Sequence, residues 1–300
     1  MKKRSLSQRE EHTLREELQA ATLAALMDSR RWEPGDIAFQ GGTSLHLAHG
    51  SARFSEDLDF MIRGGLSTDK LAKELGRRLK RPLSAASDLA LSVTAHKGDR
   101  NPHSFYVTLS GPAVLGSVKV KVELWQTNDS ALRSLELLVS TVATPTSQTF
   151  VPTLTLSEIF CDKVYALGAR ERIKPRDVFD LWWLVQKGQT GCAPPSLLMR
   201  LEIYPAPSDR ATDTAARWLQ SAALRLAELG NADMKATVAQ DLARWLPSFW
   251  PMNETMGQQM IAIAMAQLTQ GIHIMQAFCA APPAPESPGL QGPKVVHSRS

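Results

Sequence analysis

Two aspartates, two positions apart, carry the clearest sign of chemistry in the sequence. Asp57 and Asp59 alternate with the apolar Leu58, Phe60 and Ile62. Because successive side chains of a strand point to opposite faces, a strand here would place both carboxylates on one face. Adjacent negative charges are unfavourable unless they are neutralised, and a hard divalent cation does this with oxygen ligands. The pattern predicts a metal site, although most Asp-x-Asp pairs on strands are simply solvated.

A third carboxylate comes from a later segment. In residues 117–125, valines and Leu124 alternate with Lys119, Lys121, Glu123 and Trp125, which predicts a strand with one apolar and one polar face. Glu123 alone carries no information, but with Asp57 and Asp59 it completes a set that can hold two Mg²⁺ ions about 3.5–4 Å apart. Such a pair activates an attacking oxygen and neutralises charge on the α-phosphate and the leaving pyrophosphate.

A glycine pair precedes the aspartates. Gly41 and Gly42 follow the short apolar run 37–39, and Thr43 and Ser44 begin a helix-like stretch. Glycines let the backbone turn sharply and approach a ligand closely. Thr43 or Ser44 can cap the helix, whose N-terminal N–H groups suit a phosphate. Taken alone, the pair is more often only a turn.

The surrounding elements predict an α+β fold. One face of a mixed sheet is expected to pack helices and the polar face to stay open, with functional groups on it. The expected division is an α/β domain over residues 1–150, a helical domain over 151–280 and a disordered tail over 281–300. The predicted helices cover 6–29, 44–49, 68–82, 156–170, 175–187, 208–229, 231–245 and 255–279, and the predicted strands 37–39, 57–62, 88–96, 103–110 and 117–125.

Composition narrows the class of protein. The chain of 300 residues is 43% hydrophobic with a net charge of +4, compatible with a phosphate-bearing partner but not specific for one. Three cysteines without a CxxC pair argue against a zinc ribbon or disulfide scaffold and favour a reducing compartment. The most apolar stretch, 259–280, is interrupted by polar residues, and the N-terminus lacks a signal-peptide core. We therefore expect a cytoplasmic protein without a membrane span.

Two blocks of sequence resemble the AbiEii/AbiGii toxin family, nucleotidyltransferases similar to DNA polymerase β and related to the MenT toxins. The first block is Gly41-Gly42-Thr43 with the segment 53–60, RFSEDLDF. The second comprises 158–167, EIFCDKVYAL, then Arg170 and 174–181, KPRDVFDL. The resemblance spans roughly residues 36–185 and is specific only in these blocks. The loop carries Gly-Gly-Thr where many members of the wider superfamily have Gly-Ser, so the hydroxyl is retained.

The resemblance implies roles for individual residues. Gly42 and Thr43, within the loop 41–44, would hold nucleotide phosphates, and Asp57 and Asp59 would bind Mg²⁺. Lys163 would reach the triphosphate, and Asp177 or Asp180 would hold Lys163 or the acceptor.

On the patterning of the second block, Lys163 either lies at the edge of an apolar stripe with its charge in solvent or points into the cleft between the two domains. Ile159 and Leu167 lie four positions to either side of it on a helix. Asp177 and Asp180 share a helix face with apolar residues. The alternative is an Arg/Asp salt bridge that joins two helices, and Arg53 and Arg176 are either nucleotide contacts or partners of these carboxylates.

The implied activity is transfer of a nucleotide from an NTP to an acceptor, most plainly the 3′ end of tRNA, which would stop translation. A cognate antitoxin partner is implied as well, and no DNA partner is expected. Basic residues that an RNA backbone could use, or that are only solvated charge, are Arg77, Arg78, Lys80, Arg81, Lys119 and Lys121. The alternatives are transfer to a protein or small-molecule hydroxyl, or a catalytically idle partner-binding module.

Overall fold

A mixed β-sheet organises the N-terminal part of the chain. The computed structural model describes residues 4–79, 89–96, 101–143, 148–204 and 211–281. The strands are β1 (Arg4–Ser5), β2 (Ile37–Gln40), β3 (Leu58–Arg63), β4 (Ala90–Ala95), β5 (His103–Ser110), β6 (Val114–Leu115), β7 (Val118–Thr127), β8 (Leu137–Ala143) and β9 (Gln148–Leu154). Within the described ranges, seven of them form one sheet in the order β4-β5-β7-β3-β2-β9-β8.

Strand direction and register place the aspartate strand at the centre of this sheet. Strand β3 pairs parallel with β7 and antiparallel with β2, and β2 pairs parallel with β9. The valines and Leu124 of β7 are buried while the alternate positions are partly or fully exposed, as the sequence pattern predicted. The short strands β1 and β6 pair with each other.

The helices are α1 (Gln8–Met27), α2 (Gly41–Leu47), α3 (Thr68–Arg78), α4 (Asp129–Ser134), α5 (Leu156–Ala169), α6 (Pro175–Gln186), α7 (Pro194–Ile203), α8 (Ala211–Leu229), α9 (Met234–Leu242) and α10 (Glu254–Ala280). Helix α1 begins at a reciprocal cap, in which the Ser7 hydroxyl accepts from the Glu10 N–H and the Glu10 carboxylate accepts from the Ser7 N–H. Helices α1 and α3 bury their apolar faces against Phe39 and Phe60 on one face of the sheet.

The opposite face of the sheet is covered in part. Ala38 and Met61, which point away from α1, join a hydrophobic cluster with α5, α6, α8 and α10. The polar face was expected to stay open, but the C-terminal helices pack over its β2–β3 side. A cleft therefore remains between these helices and the polar groups of β3 and β7, in place of an open surface.

Six of the described elements lay outside the sequence prediction, namely β1, β6, β8, β9, α4 and α7. The strands β8 and β9 form an antiparallel pair beside β2, and helix α7 begins at Pro194-Pro195. Proline at the first helical positions needs no N–H donor, so the pair starts a helix. The division at residue 150 remains a prediction. The tail from residue 282, and the predicted helix and strand ends at 80–82, 88 and 208–210, lie outside the described residues.

The structure contains a disulfide, which the sequence analysis did not predict. Cys161 of α5 and Cys192, before α7, form a disulfide with Cα atoms 5.3 Å apart, and both are buried. Their spacing of 31 positions gives no hint of this, because packing of α5 against α7 brings them together. In the part of the chain that the structure describes, no helix combines the length and apolarity needed to cross a bilayer.

Candidate active site

A cleft of about 440 Å³ lies between the polar face of the sheet and helix α5. Asp59 of β3 and Glu123 of β7 line its sheet side, and Lys163 and Arg170 line its helix side. Gly41, at the junction of β2 and α2, also borders it. Carboxylates and cations from distant parts of the sequence thus face one cavity, an arrangement that suits a transfer reaction at a phosphate.

The side chains of Gln40, Asp59 and Glu123 lie next to one another on three adjacent strands at the floor of this cleft. Register pairs Asp59 with Gln40 of β2 on one side and with Glu123 of β7 on the other. The carboxyl groups of Asp59 and Glu123 are within hydrogen-bonding contact. Burial, followed by repulsion from Glu123 and Asp57, raises the pKa of Asp59 to about 7. Lys163 therefore offsets only part of the cost of placing a charge on Asp59 beside the other carboxylates.

Gly41 is required at its position by the neighbouring carboxylate. Its φ of +78° lies in the left-handed region, and a Cβ atom there would overlap Oδ2 of Asp59. The glycine therefore lets the backbone turn against the floor of the cleft.

Asp57 lies one residue before β3. Burial and the charge of Glu123 raise its pKa above the ordinary value. The Thr43 hydroxyl donates to the Asp57 carbonyl oxygen, and Thr43 is fully buried. The Ser44 hydroxyl donates to the Gly41 carbonyl oxygen at 2.9 Å. The Thr43 bond thus ties α2 to the segment that carries the aspartates, whereas the Ser44 bond lies within α2. Neither residue caps this helix, which begins at Gly41 after Gln40. Their predicted contact with nucleotide phosphates remains a prediction.

A divalent cation fits the chemistry of this donor set. Among the described residues, no group of three or more His, Cys, Asp or Glu side chains is gathered as a metal site. Glu123 is instead paired with Lys121 as well as with Asp59. The oxygen donors and the unneutralised charge around Asp59 are nevertheless those that a hard cation satisfies. Asp57, Asp59 and Glu123 would hold Mg²⁺, which remains a prediction.

Lys163 is buried in a network of ion pairs between helices α5 and α6. Its Nζ lies 2.9 Å from Asp177 Oδ1 and 2.7 Å from Asp180 Oδ2, and Arg170 Nε lies 2.9 Å from Asp177 Oδ2. Burial alone would raise the pKa of Asp177, but the charges of Lys163 and Arg170 outweigh it and hold that pKa well below the ordinary range. Burial alone would lower the pKa of Lys163, but the charges of Asp177 and Asp180 outweigh burial and raise that pKa above its ordinary value. Lys163 is therefore charged and fixed.

Arg53 is the partner of Asp180. Its Nε and Nη2 donate to the two carboxylate oxygens at 2.8 and 2.9 Å, and Nη1 donates to the Phe54 carbonyl at 2.9 Å. A Cβ atom on Gly42 would overlap Arg53 Nη2, so the second glycine of the loop makes room for this guanidinium. Of the two interpretations of Arg53, the structure displays the carboxylate partner.

Arg176 lies at the rim of this region. Its guanidinium carbon is 4.9 Å from the centre of the Trp245 ring, and Nη1 is 3.9 Å from Glu56 Oε2. Arg176 therefore contacts neither Asp177 nor Asp180 in the structure.

Several cleft residues had no role in the sequence analysis. Asp162 directly precedes Lys163 on α5, Arg170 follows Lys163 by seven positions at the end of that helix, and Trp125 stands two positions after Glu123 on β7. Helical spacing from Lys163 could have found Arg170, and strand periodicity from Glu123 could have found Trp125, but neither indicates Asp162. Tyr204 carried no such signal, because it reaches the cleft only through the packing of α7.

Comparisons with known proteins agree with this architecture. The sequence profile described as nucleotidyl transferase AbiEii toxin, type IV toxin–antitoxin system, matches residues 25–253. MenT4, a nucleotidyltransferase toxin from Mycobacterium tuberculosis H37Rv, superposes with a TM-score of 0.52 at 16% identity, over 90% of this chain and 89% of that chain. JHP933 from Helicobacter pylori gives a TM-score of 0.47 at 17% identity, over 90% and 98% of the two chains. No curated protein matches by sequence.

The fold is that of a nucleotidyltransferase, an enzyme that moves a nucleotide from an NTP to an acceptor. The chain belongs to the AbiEii toxin family of type IV toxin–antitoxin systems, because that profile covers most of its length. Membership of this family implies an antitoxin partner.

Proposed function

We propose that this protein is a Mg²⁺-dependent toxin that transfers a nucleotide from an NTP to the 3′ end of tRNA and thereby stops translation. One observation supports the proposal most directly. Asp59 and Glu123, in contact and insufficiently neutralised, face Lys163 and Arg170 across a single cleft. Carboxylates for a cation and cations for a triphosphate are the two parts that such a transfer needs.

The reaction divides between the two walls of the cleft. The acceptor hydroxyl oxygen forms a bond to the α-phosphorus, its proton passes to water, and the bond to the leaving pyrophosphate breaks. Mg²⁺, when bound by the carboxylates, supplies charge neutralisation at the α-phosphate and at the leaving oxygen. Lys163 and Arg170 offset the charge of the β- and γ-phosphates, while Asp177 and Asp180 hold the lysine in one orientation.

The RNA acceptor draws little support from the basic residues singled out in the sequence. Arg77 and Arg78 both pair with Glu74, and Lys121 pairs with Glu123. Lys119 is exposed, and Lys80 and Arg81 lie outside the described residues. The proposal of tRNA, and of the cytoplasm in which tRNA and NTPs meet, therefore comes from family membership. The antitoxin is proposed to act on this same activity.

The test is a transfer assay with purified protein, Mg²⁺, each α-³²P-labelled NTP in turn and total tRNA. Asp59→Asn is run beside Asp69→Asn, which changes an exposed aspartate of α3 outside the cleft. Label on tRNA that is lost in Asp59→Asn and kept in Asp69→Asn supports the proposal. Label on protein alone assigns a polypeptide acceptor. An absence of label from folded protein contradicts the catalytic proposal and leaves a partner-binding module.

A further inference from the structure

The cleft is lined by cations and by aromatic rings. Helix α5 and the residue that ends it line the cleft from Ile159 to Arg170, and Lys163 and Arg170 contribute positive charge. Trp125 and Tyr204, whose rings contact each other, line the part of the cleft that we call the aromatic end. Cations suit the phosphates of an NTP, and aromatic rings suit its base.

The aromatic end is held rigidly. Trp125 Nε1 donates to the Ile203 carbonyl at 2.6 Å, and the Trp125 and Tyr204 rings meet edge to face with centroids 5.0 Å apart. Tyr165 stacks on Tyr204 at 5.6 Å. Trp125 follows Glu123 by two positions, so its ring lies on the same sheet face as the carboxylates. A flat, apolar ring system placed here would lie next to the reacting phosphate.

Three polar groups converge at this end. The Tyr204 hydroxyl lies 3.2 Å from Gln40 Oε1 and 3.4 Å from Asp162 Oδ1. Arg200 Nε donates to the same Asp162 oxygen at 2.8 Å. The other oxygen, Asp162 Oδ2, is buried and has no hydrogen-bond partner among the described residues. Within those residues the Gln40 amide nitrogen also donates to no group, while its oxygen is engaged by Tyr204.

An unpaired acceptor and an unpaired donor beside an aromatic wall match the edge of a nucleobase. Every base presents hydrogen-bond donors or acceptors on its edge and a π-face for stacking. A buried oxygen left without a partner is costly, so a ligand that donates to it gains affinity that a mismatched ligand lacks.

We propose that the aromatic end of the cleft is the nucleobase subsite, in which Trp125 and Tyr204 contact the base and Asp162 and Gln40 decide which base is accepted. This inference rests on the proposed function, since it assumes that an NTP occupies the cleft. Asp162 accepts a hydrogen bond from a base N–H group through Oδ2. Gln40 donates to a base carbonyl or ring nitrogen. The two are specificity-determining residues and take no part in the bond exchange.

The central variant is Asp162→Asn. The asparagine keeps an oxygen for Arg200 but replaces the unpaired oxygen Oδ2 with an NH₂ group. The N–H of the preferred base would then face a donor in place of an acceptor. We expect kcat/KM for the preferred NTP to fall about tenfold to a hundredfold, and the ranking of the four NTPs to change. Gln40→Leu removes the donor without touching Arg200, and it provides the same test if Asp162→Asn fails to fold.

The measurements are kcat/KM for the four NTPs with tRNA, and dissociation constants for their non-hydrolysable α,β-methylene analogues without acceptor. Asp69→Asn and Gln276→Leu, both exposed and outside the cleft, serve as controls. An altered ranking supports the inference. An equal loss for all four NTPs, or altered discrimination between NTP and dNTP with base ranking intact, overturns it. Selective analogue binding that responds to the variants without any transfer supports the base subsite and contradicts the proposed function.

Discussion

Arg53 and Asp180 are 127 positions apart in the chain and form a salt bridge with two hydrogen bonds that is closed to solvent. The arginine belongs to the segment that leads into the aspartate strand, and the aspartate belongs to α6 together with Asp177. A planar guanidinium that meets both carboxylate oxygens fixes orientation as well as distance. This pair therefore sets how the carboxylate wall of the cleft faces the lysine wall.

Replacing Arg53 with lysine should be costly although the charge is kept. A single ammonium cannot make both bonds to Asp180, and a broken buried pair costs about 3–5 kcal/mol. The free energy of unfolding from urea titration measures the loss. The matched control is Arg4→Lys, because Arg4 pairs with Glu10 at 2.8 Å on the surface. An exposed pair contributes about 0–1 kcal/mol. Equal losses in the two variants would contradict the assigned role.

Alanine at Gly42 should destabilise the protein even though the residue is helical. Alanine in place of glycine within a helix normally stabilises by about 1 kcal/mol. At Gly42 the added carbon overlaps the Arg53 guanidinium, whereas at Gly257 of α10 the nearest atom is 3.9 Å away. Thermal unfolding should therefore show a lower Tm for Gly42→Ala and an unchanged or higher Tm for Gly257→Ala. The same sign for both variants would mean that Arg53 moves aside freely.

Divalent cations should stabilise the wild-type protein through Asp59. Above the raised pKa of about 7, Asp59 is charged beside Glu123, and a bound cation relieves the repulsion between them. At pH 8, millimolar Mg²⁺ or Mn²⁺ is expected to raise Tm in wild type and in Asp69→Asn, and to leave Asp59→Asn nearly unchanged. A similar rise in all three proteins would show that the cation binds elsewhere.

The contribution of Asp177 to stability should disappear in acid. Its folded-state pKa lies below the ordinary value of 3.8, so its stabilisation is complete above pH 3.8 and is lost as the pH falls through the folded-state pKa. Unfolding measured between pH 7 and pH 2 should show a large deficit for Asp177→Asn near neutrality, of about 3–5 kcal/mol. The deficit should shrink only below pH 3.8. If the difference in the free energy of unfolding stayed constant into strong acid, the ionised carboxylate of Asp177 would not be what stabilises the folded protein.

Reduction of the Cys161–Cys192 disulfide should lower stability. Closure of a loop of 31 positions restricts the unfolded chain, which corresponds to about 3–4 kcal/mol. Dithiothreitol should lower Tm in wild type and in Cys279→Ser, whose exposed thiol is free, and have no effect on the double variant Cys161→Ser, Cys192→Ser. Mass spectrometry of the alkylated protein provides an independent count of the free thiols.

Much of the fold could be predicted because local periodicity and burial agree. Strand β5 matches its predicted range of 103–110, and the alternation of β7 identified which residues face the cleft. The pair β8–β9 was missed although 137–154 is rich in valine and threonine, which favour strands. That signal was present and was not used.

Other features depended on tertiary packing. No local pattern links Arg53 to Asp180 or Cys161 to Cys192, since each pair meets only when α5, α6 and the loops around them assemble. Thr43 illustrates the same limit. Its hydroxyl donates to the Asp57 carbonyl, fourteen positions away, and no local pattern indicates that bond.

The long separation between Arg53 and Asp180 has a consequence for biosynthesis. A growing chain that already displays the aspartates of β3 has neither the lysine of α5 nor the anchor of α6, because both lie more than 100 residues downstream of Arg53. Chains that end before α6 therefore lack both the anchor of Lys163 and the partner of Arg53. A cell that makes this protein meets the proposed activity only after α6 has been translated.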